Sequence, residues 1–157
     1  MTAGPHRWAD DPRPDRYRDL DHPADLWIEV RGDTLADLAG NALFALFDTL
    51  LETEGLDAER SVCVDVKDTG PAEALRALLA EALFLFDAEG FGATGAVVNA
   101  EMRLEPPLTQ MHAELWGQDL PPSYPGLRTE VKAVTHHRLL VESDPDRGWT
   151  ASLLFDV

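Results

Sequence analysis

Two aspartates and a histidine fall within five residues at Asp21-His22-Pro23-Ala24-Asp25, directly ahead of a run in which apolar and polar residues alternate. At the other end of the chain, Asp156 stands beside Val157, whose α-carboxylate adds a further oxygen donor. Carboxylates gathered at strand ends repel one another unless they are solvated, hydrogen-bonded or neutralised, and hard cations such as Ca²⁺ or Mg²⁺ take oxygen ligands of this kind. A solvated strand mouth and a solvated terminus are the alternative reading of the same residues. The pair His136-His137 lies in what reads as one extended run over 129–142, where neighbours face opposite sides. His137 shares a side with Val131, Ala133, Thr135 and Leu139 and reads as a core-edge histidine, whereas His136 shares one with Lys132 and Arg138 and reads as solvated.

Other chemistries find little support. There is no G-x-S-x-G elbow, and Ser61, Ser123, Ser143 and Ser152 have no local context that would activate a hydroxyl. No glycine loop of the phosphate- or dinucleotide-binding kind is present. Neither helical stretch carries carboxylate and histidine at metal-ligand spacing, which argues against a zinc site. Cys63, the single cysteine, sits without a neighbouring base in an apolar run and reads as a buried, inert thiol in a reducing compartment.

The elements that must position the acidic groups can be read from periodicity. Leu26, Ile28 and Val30 alternate with Trp27, Glu29 and Arg31 as in a half-buried strand, which Gly32-Asp33 ends. Thr34 is placed to cap a helix over 35–51, where Leu35, Leu38, Ala42, Leu43, Leu46, Phe47 and Leu50 recur at helical spacing. Val62, Val64 and Val66 alternate in a second strand over 61–67 with one wet face. Gly70-Pro71 opens a second helix whose stripe is Leu75, Leu78, Leu79, Ala82, Leu85 and Phe86, with Gly90 and Gly92 at its exit. After that the chain reads as strands: 98–104 up to Pro106-Pro107, a return through Met111, Ala113 and Leu115, a Pro-rich loop over 117–128, the run 129–142, and a last strand over 149–157. The expectation is an α+β fold, two helices on one face of a mostly antiparallel sheet, in the order βαβα followed by four to five strands. Residues 1–16, with Pro5, Pro12 and Pro14 among mixed Arg and Asp, are expected to be a disordered lead-in to a single domain over 17–157.

The 157 residues carry 29 acidic and 13 basic side chains, a net charge of −16. That balance disfavours a protein that holds nucleic acid by itself, because phosphate neutralisation needs clustered Lys and Arg. It suits one that binds a cation or docks on a basic partner. With no apolar run long enough to span a membrane and no signal-peptide core at the N-terminus, a cytoplasmic protein is expected.

Four blocks in order, Asp-His-Pro-Ala-Asp with its strand and Gly-Asp-Thr-Leu, the Glu-Ala-Leu-Phe-Leu-Phe end of the second helix, Thr-Glu-Val-Lys-Ala-Val-Thr-His-His, and the terminal Leu-Phe-Asp-Val, together resemble the archease family. The resemblance runs from about Tyr17 to Val157. It implies a small acidic protein that activates the GTP-dependent RNA ligase of tRNA splicing, promoting guanylylation of the ligase and its repeated turnover, and that binds a divalent cation, calcium in structures. Carried over by position, the metal ligands fall on Asp25, Asp156 and the terminal carboxylate of Val157, with Asp21 and His22 supporting them. Glu81 and Lys132 stand where the family is acidic and basic, and His137 joins them as a supporting candidate. The family has Thr where this chain has Pro23 and Tyr where it has His136, and residues 1–16 have no counterpart in it. The function implied is that of a non-catalytic ligase activator without tight RNA binding of its own. Two alternatives of other classes stand beside it: a metal-dependent hydrolase, for which His22 is the one evident base, and a chaperone-like binding module using the loop 117–128.

Overall fold

The computed structural model describes residues 5–20 and 25–157. A short 3-10 turn, Trp8–Asp10, precedes β1 (Tyr17–Leu20), β2 (Leu26–Gly32), α1 (Leu35–Leu50), β3 (Arg60–Asp68), α2 (Pro71–Glu89), β4 (Phe91–Leu104), β5 (Pro107–Asp119), β6 (Ala133–Val134), β7 (Leu140–Asp144) and β8 (Gly148–Asp156). Two helices and an antiparallel set of strands are thus present in the expected order. The strands divide into two sheets. In one, β8 is the shared strand, paired with β2 on one side and with β6 and β7 on the other, while β1 forms the edge beyond β2. The other has the order β3-β5-β4.

Local signals account for the helix ends. Thr34 Oγ1 accepts from the Asp37 backbone N–H at 3.0 Å, satisfying one of the donors left over in the first turn of α1. Gly32 is needed where β2 turns into α1, because a Cβ there would come within 2.7 Å of the Leu38 Cα. Pro71 occupies the first turn of α2, where its missing N–H costs nothing, and Gly90 closes that helix in the left-handed conformation, φ 67°. Helix α1 packs on β2, β4 and β8 and so bridges the two sheets, while α2 packs on β3, β5, β4 and β6. Burial of α1 on most sides puts the polar Asn41 inside, where its amide donates to the Arg31 carbonyl at 2.6 Å and accepts from Arg13 Nη2 at 3.1 Å. On the outer face of the larger sheet, Arg18 and Arg31 both donate to Glu29 Oε1, at 3.0 and 3.3 Å. The Arg18 hydrogen bond above all holds the Glu29 carboxyl below its usual range.

Four readings need correction. Residues 1–16 are expected to be a disordered lead-in, yet among the described residues 5–16 Trp8 is 4% exposed and enters the core against Phe44 and Phe47. Cys63 is exposed: it lies on the wet side of β3, opposite Val62 and Val64, and the alternation outweighs its apolar neighbours. The run 129–142 is interrupted, since only Ala133–Val134 pairs before the chain turns through 135–139, with Arg138 at φ 56°, into β7. His136 and His137 therefore lie in a turn and are both exposed, which removes the core-edge reading of His137. The loop 117–128 is shorter than expected because β5 continues to Asp119. What remains is tied back by Tyr124 Oη to the Glu52 carbonyl at 2.8 Å and by Arg128 Nη1 to Asp48 Oδ1 at 2.9 Å.

Phe155 is fully buried at the end of β8. Phe155→Ala is expected to lower unfolding free energy by about 3–5 kcal/mol in denaturant titration, whereas Phe84→Ala on the surface should stay within about 0.5 kcal/mol. Because Glu29 has a depressed folded-state pKa, its stabilisation is present above the unfolded value and lost as pH falls through the folded one. Glu29→Gln should accordingly flatten the acid limb of stability against pH, below about pH 4.5.

Candidate metal centre

The register of β2 on β8 sets the site. Leu26 pairs with Phe155, Trp27 with Leu154 and Ile28 with Leu153. Ile28, Val30, Leu153 and Phe155 are buried in the core, so the intervening residues Trp27, Glu29, Ser152 and Leu154 form the opposite, outward face, on which Leu154 is itself covered at 2% exposed. One step beyond the last pair, the same register sets Asp25 beside Asp156 on that outward face. Cβ atoms of such cross-strand neighbours lie about 4.5–5.5 Å apart, close enough for both carboxylates to meet one ion and for like charges to oppose each other without it. Both aspartates are partly buried.

Asp156 is also held from its other side. Ala133 pairs with it, and the Lys132 backbone N–H donates to its carbonyl at 2.7 Å. Lys132 is thus brought to the same strand end by its backbone, with its side chain exposed. Val157 follows directly and is 37% exposed. Asp21 and His22 lie outside the described residues. Among the described residues no three His, Cys, Asp or Glu side chains converge, and Asp25 and Asp156 stand there as a pair of carboxylates. Its chemistry, oxygen donors only, fits a hard cation rather than zinc or copper.

Glu81 and His137 are placed less directly. The His136 ring Nδ1 is 3.6 Å from Glu73 Oε2 in the first turn of α2. At the far end of that helix, burial and then the nearby Glu130 push the Asp87 carboxyl above its usual range. Helix rise from 73 to 87, about 21 Å, matches the extended reach from 130 to 136, about 20 Å. The segment carrying Lys132 therefore runs alongside α2, and Glu81 sits exposed midway along that helix. His137 is fixed by its backbone N–H, which donates to Thr135 Oγ1 at 3.2 Å.

Two features escaped the sequence reading. Arg138 places its guanidinium 4.5 Å from the centroid of the Trp27 ring, and Trp27 Nε1 donates to Ser152 Oγ at 2.8 Å, so the indole beside the acidic pair is fixed from two directions. A positive φ at a non-glycine residue has no sequence signal, which is why the turn that delivers Arg138 was not foreseen. On the separate three-stranded sheet, His112 Nδ1 meets Asp65 Oδ1 at 2.6 Å beside a concavity of about 400 Å³ lined by Lys67, Asn99, Glu101 and Gln110. That couple joins residues 47 apart in sequence, and only the β3–β5 register makes it visible.

The model of the archease protein family (MTH1598/TM1083) matches residues 17–157. Among curated proteins, the protein archease of Archaeoglobus fulgidus is 34% identical over 142 residues, spanning 90% of this chain and 99% of that relative. That of Pyrococcus furiosus is 27% identical over 142 residues, with the same two shares. The solution structure of Methanobacterium thermoautotrophicum protein 1598 superposes with a TM-score of 0.76 at 20% identity, covering 91% of this chain and 99% of the other, a likeness of fold.

If the acidic pair holds a cation, Ca²⁺ should raise the melting temperature of the wild-type protein by preferential binding to the folded state. Asp25→Ala should abolish that rise in a thermal melt with and without Ca²⁺, because one charged ligand of the pair is lost. An unchanged calcium shift in the variant would remove Asp25 from the site.

Proposed function

The chain belongs to the archease family, and on that premise we propose that it is a non-catalytic activator of a GTP-dependent tRNA-splicing RNA ligase, promoting guanylylation of the ligase and its multiple turnover. The observation that carries this reading is the register that sets Asp25 beside Asp156 on the outward face of the sheet. In the proposal, Asp25, Asp156 and the carboxyl group of Val157 hold a divalent cation, Ca²⁺ by the resemblance, with Asp21 and His22 in support. When bound, the cation supplies a positive focus for phosphate oxygens at a surface that is otherwise acidic. The protein's own residues position that focus: the β2–β8 ladder fixes the spacing of the two carboxylates, and the Lys132 backbone N–H fixes the strand end. Glu81, Lys132 and His137 are proposed to meet the ligase around it. Tight RNA binding is not part of the role, in keeping with the net charge of −16. The proposal places the protein in the cytoplasm with its ligase.

The direct test is ligation of a cleaved tRNA by the cognate ligase, limiting in amount, with and without this protein. Product beyond one equivalent of ligase is expected only when the protein is present, and Asp25→Ala or Asp156→Asn should reduce it at least tenfold, about 1.4 kcal/mol of transition-state or binding free energy. Equal turnover without the protein would overturn the proposal. In a gel shift with the same RNA at physiological salt, the protein alone should show no submicromolar complex.

A further inference from the structure

The family match begins at Tyr17, yet residues before it are packed like core. The Trp8 ring meets Phe44 edge-on with centroids 5.4 Å apart and lies 6.3 Å from Phe47, both on α1. Arg16 is 4% exposed, its guanidinium 5.0 Å from the Phe44 centroid. Polar tethers flank the indole. Arg7 Nη2 donates to the carbonyls of Glu54 at 3.3 Å and Leu56 at 3.0 Å, just beyond α1, and Arg13 Nη2 donates to Asn41 Oδ1 at 3.1 Å. The body is shaped to admit the segment: a Cβ on Gly95 of β4 would strike the His6 carbonyl and come within 2.8 Å of the Arg7 Cα. Gly95 is not among the residues at positive φ; it stands at the register shift between Ala93 and Gly95 in the β4–β5 ladder, and its missing side chain leaves room for this crossing.

We propose that the groove between α1 and β4 is a peptide-binding site for an indole flanked by arginines, and that residues 5–13 of this chain are its built-in ligand. The aromatic floor of Phe44 and Phe47 takes the indole. The carbonyls of Glu54 and Leu56 on one side, and the Asn41 amide oxygen on the other, accept from Nη2 of the two guanidiniums, so the groove takes a long cationic donor on each side of the indole. Asp48, Glu52 and Glu54 line the same hollow; Arg128 pairs with Asp48 at 2.9 Å, which leaves Glu52 and Glu54 to favour cationic flanks over anionic ones. This site is independent of the cation reading, and its failure leaves that reading standing.

Three measurements on full-length protein test it. In the wild type, trypsin should cut the Arg7–Trp8 bond roughly 100-fold more slowly than in a synthetic peptide of residues 5–16, since cleavage needs the segment to open. Gly95→Ala should bring that rate close to the free peptide's and lower the melting temperature by roughly 10 °C, because the indole leaves the core. A full-length variant with Arg7→Ala, Trp8→Ala and Arg13→Ala should bind the synthetic peptide in a fluorescence anisotropy titration, while the wild type, already occupied, should not. Free-peptide cutting rates in the wild type, or peptide binding that is absent from the variant or equal in both proteins, would overturn the proposal. Should the triple variant fail to fold, the cleavage and Gly95→Ala measurements decide by themselves.

Discussion

Strand β8 is paired with β2 over 149–155 on one side and with β7 over 148–152 and β6 over 155–156 on the other, and the candidate site depends on that double pairing. β2 fixes which residue stands beside Asp156, and β6 with the Lys132 N–H fixes how the end of β8 is held. The side-chain period of a strand is two, so a slip of one residue between β2 and β8 would exchange faces. Trp27 would then turn inward and Ile28 outward, and Asp25 would no longer share a side with Asp156. The buried row of Ile28, Val30, Ala151, Leu153 and Phe155 penalises such a slip heavily, since each fully buried aliphatic or aromatic side chain is worth about 1.5–3 kcal/mol. The core thus sets the spacing of two carboxylates that it does not touch.

Like charges directly opposite each other across a sheet destabilise it, and this chain places two aspartates at adjacent strand ends while carrying an overall charge of −16. Self-repulsion on that scale is tolerated because none of the described acidic residues is buried, so solvent and salt screen them. Some carboxylates are also met by arginines, as with Glu29 between Arg18 and Arg31 or Asp48 beside Arg128. In the proposed function the acidic pair serves as oxygen donors for a metal ion.

How much was legible in the sequence depended on the range of the interaction. Thr34 as a cap, Pro71 in a first turn and the alternation of 26–31 are local, and each stands where its residue types place it. The gathering of Asp25 with Asp156 could be suspected only from their positions at strand ends and from family resemblance, because the pairing joins residues more than a hundred apart. Trp8 was hidden by its neighbours: Pro, Arg and Asp around it read as unstructured chain, and nothing local reveals the Phe44–Phe47 floor or the cleft at Gly95. Cys63 shows the opposite error, since its alternation with Val62 and Val64 already marked it as outward-facing, and apolar company was given too much weight.

Paramagnetic broadening by Mn²⁺, which takes the oxygen ligands of Ca²⁺ and Mg²⁺ sites, tests the central claim in a single titration of isotope-labelled protein. Amide signals of residues 25–27, 132–134 and 155–157 should broaden first, at substoichiometric Mn²⁺, and recover when excess Ca²⁺ is added. Broadening that centres elsewhere, or that spreads evenly over the acidic surface without recovery, would contradict the account of a cation site built by the β2–β8 register.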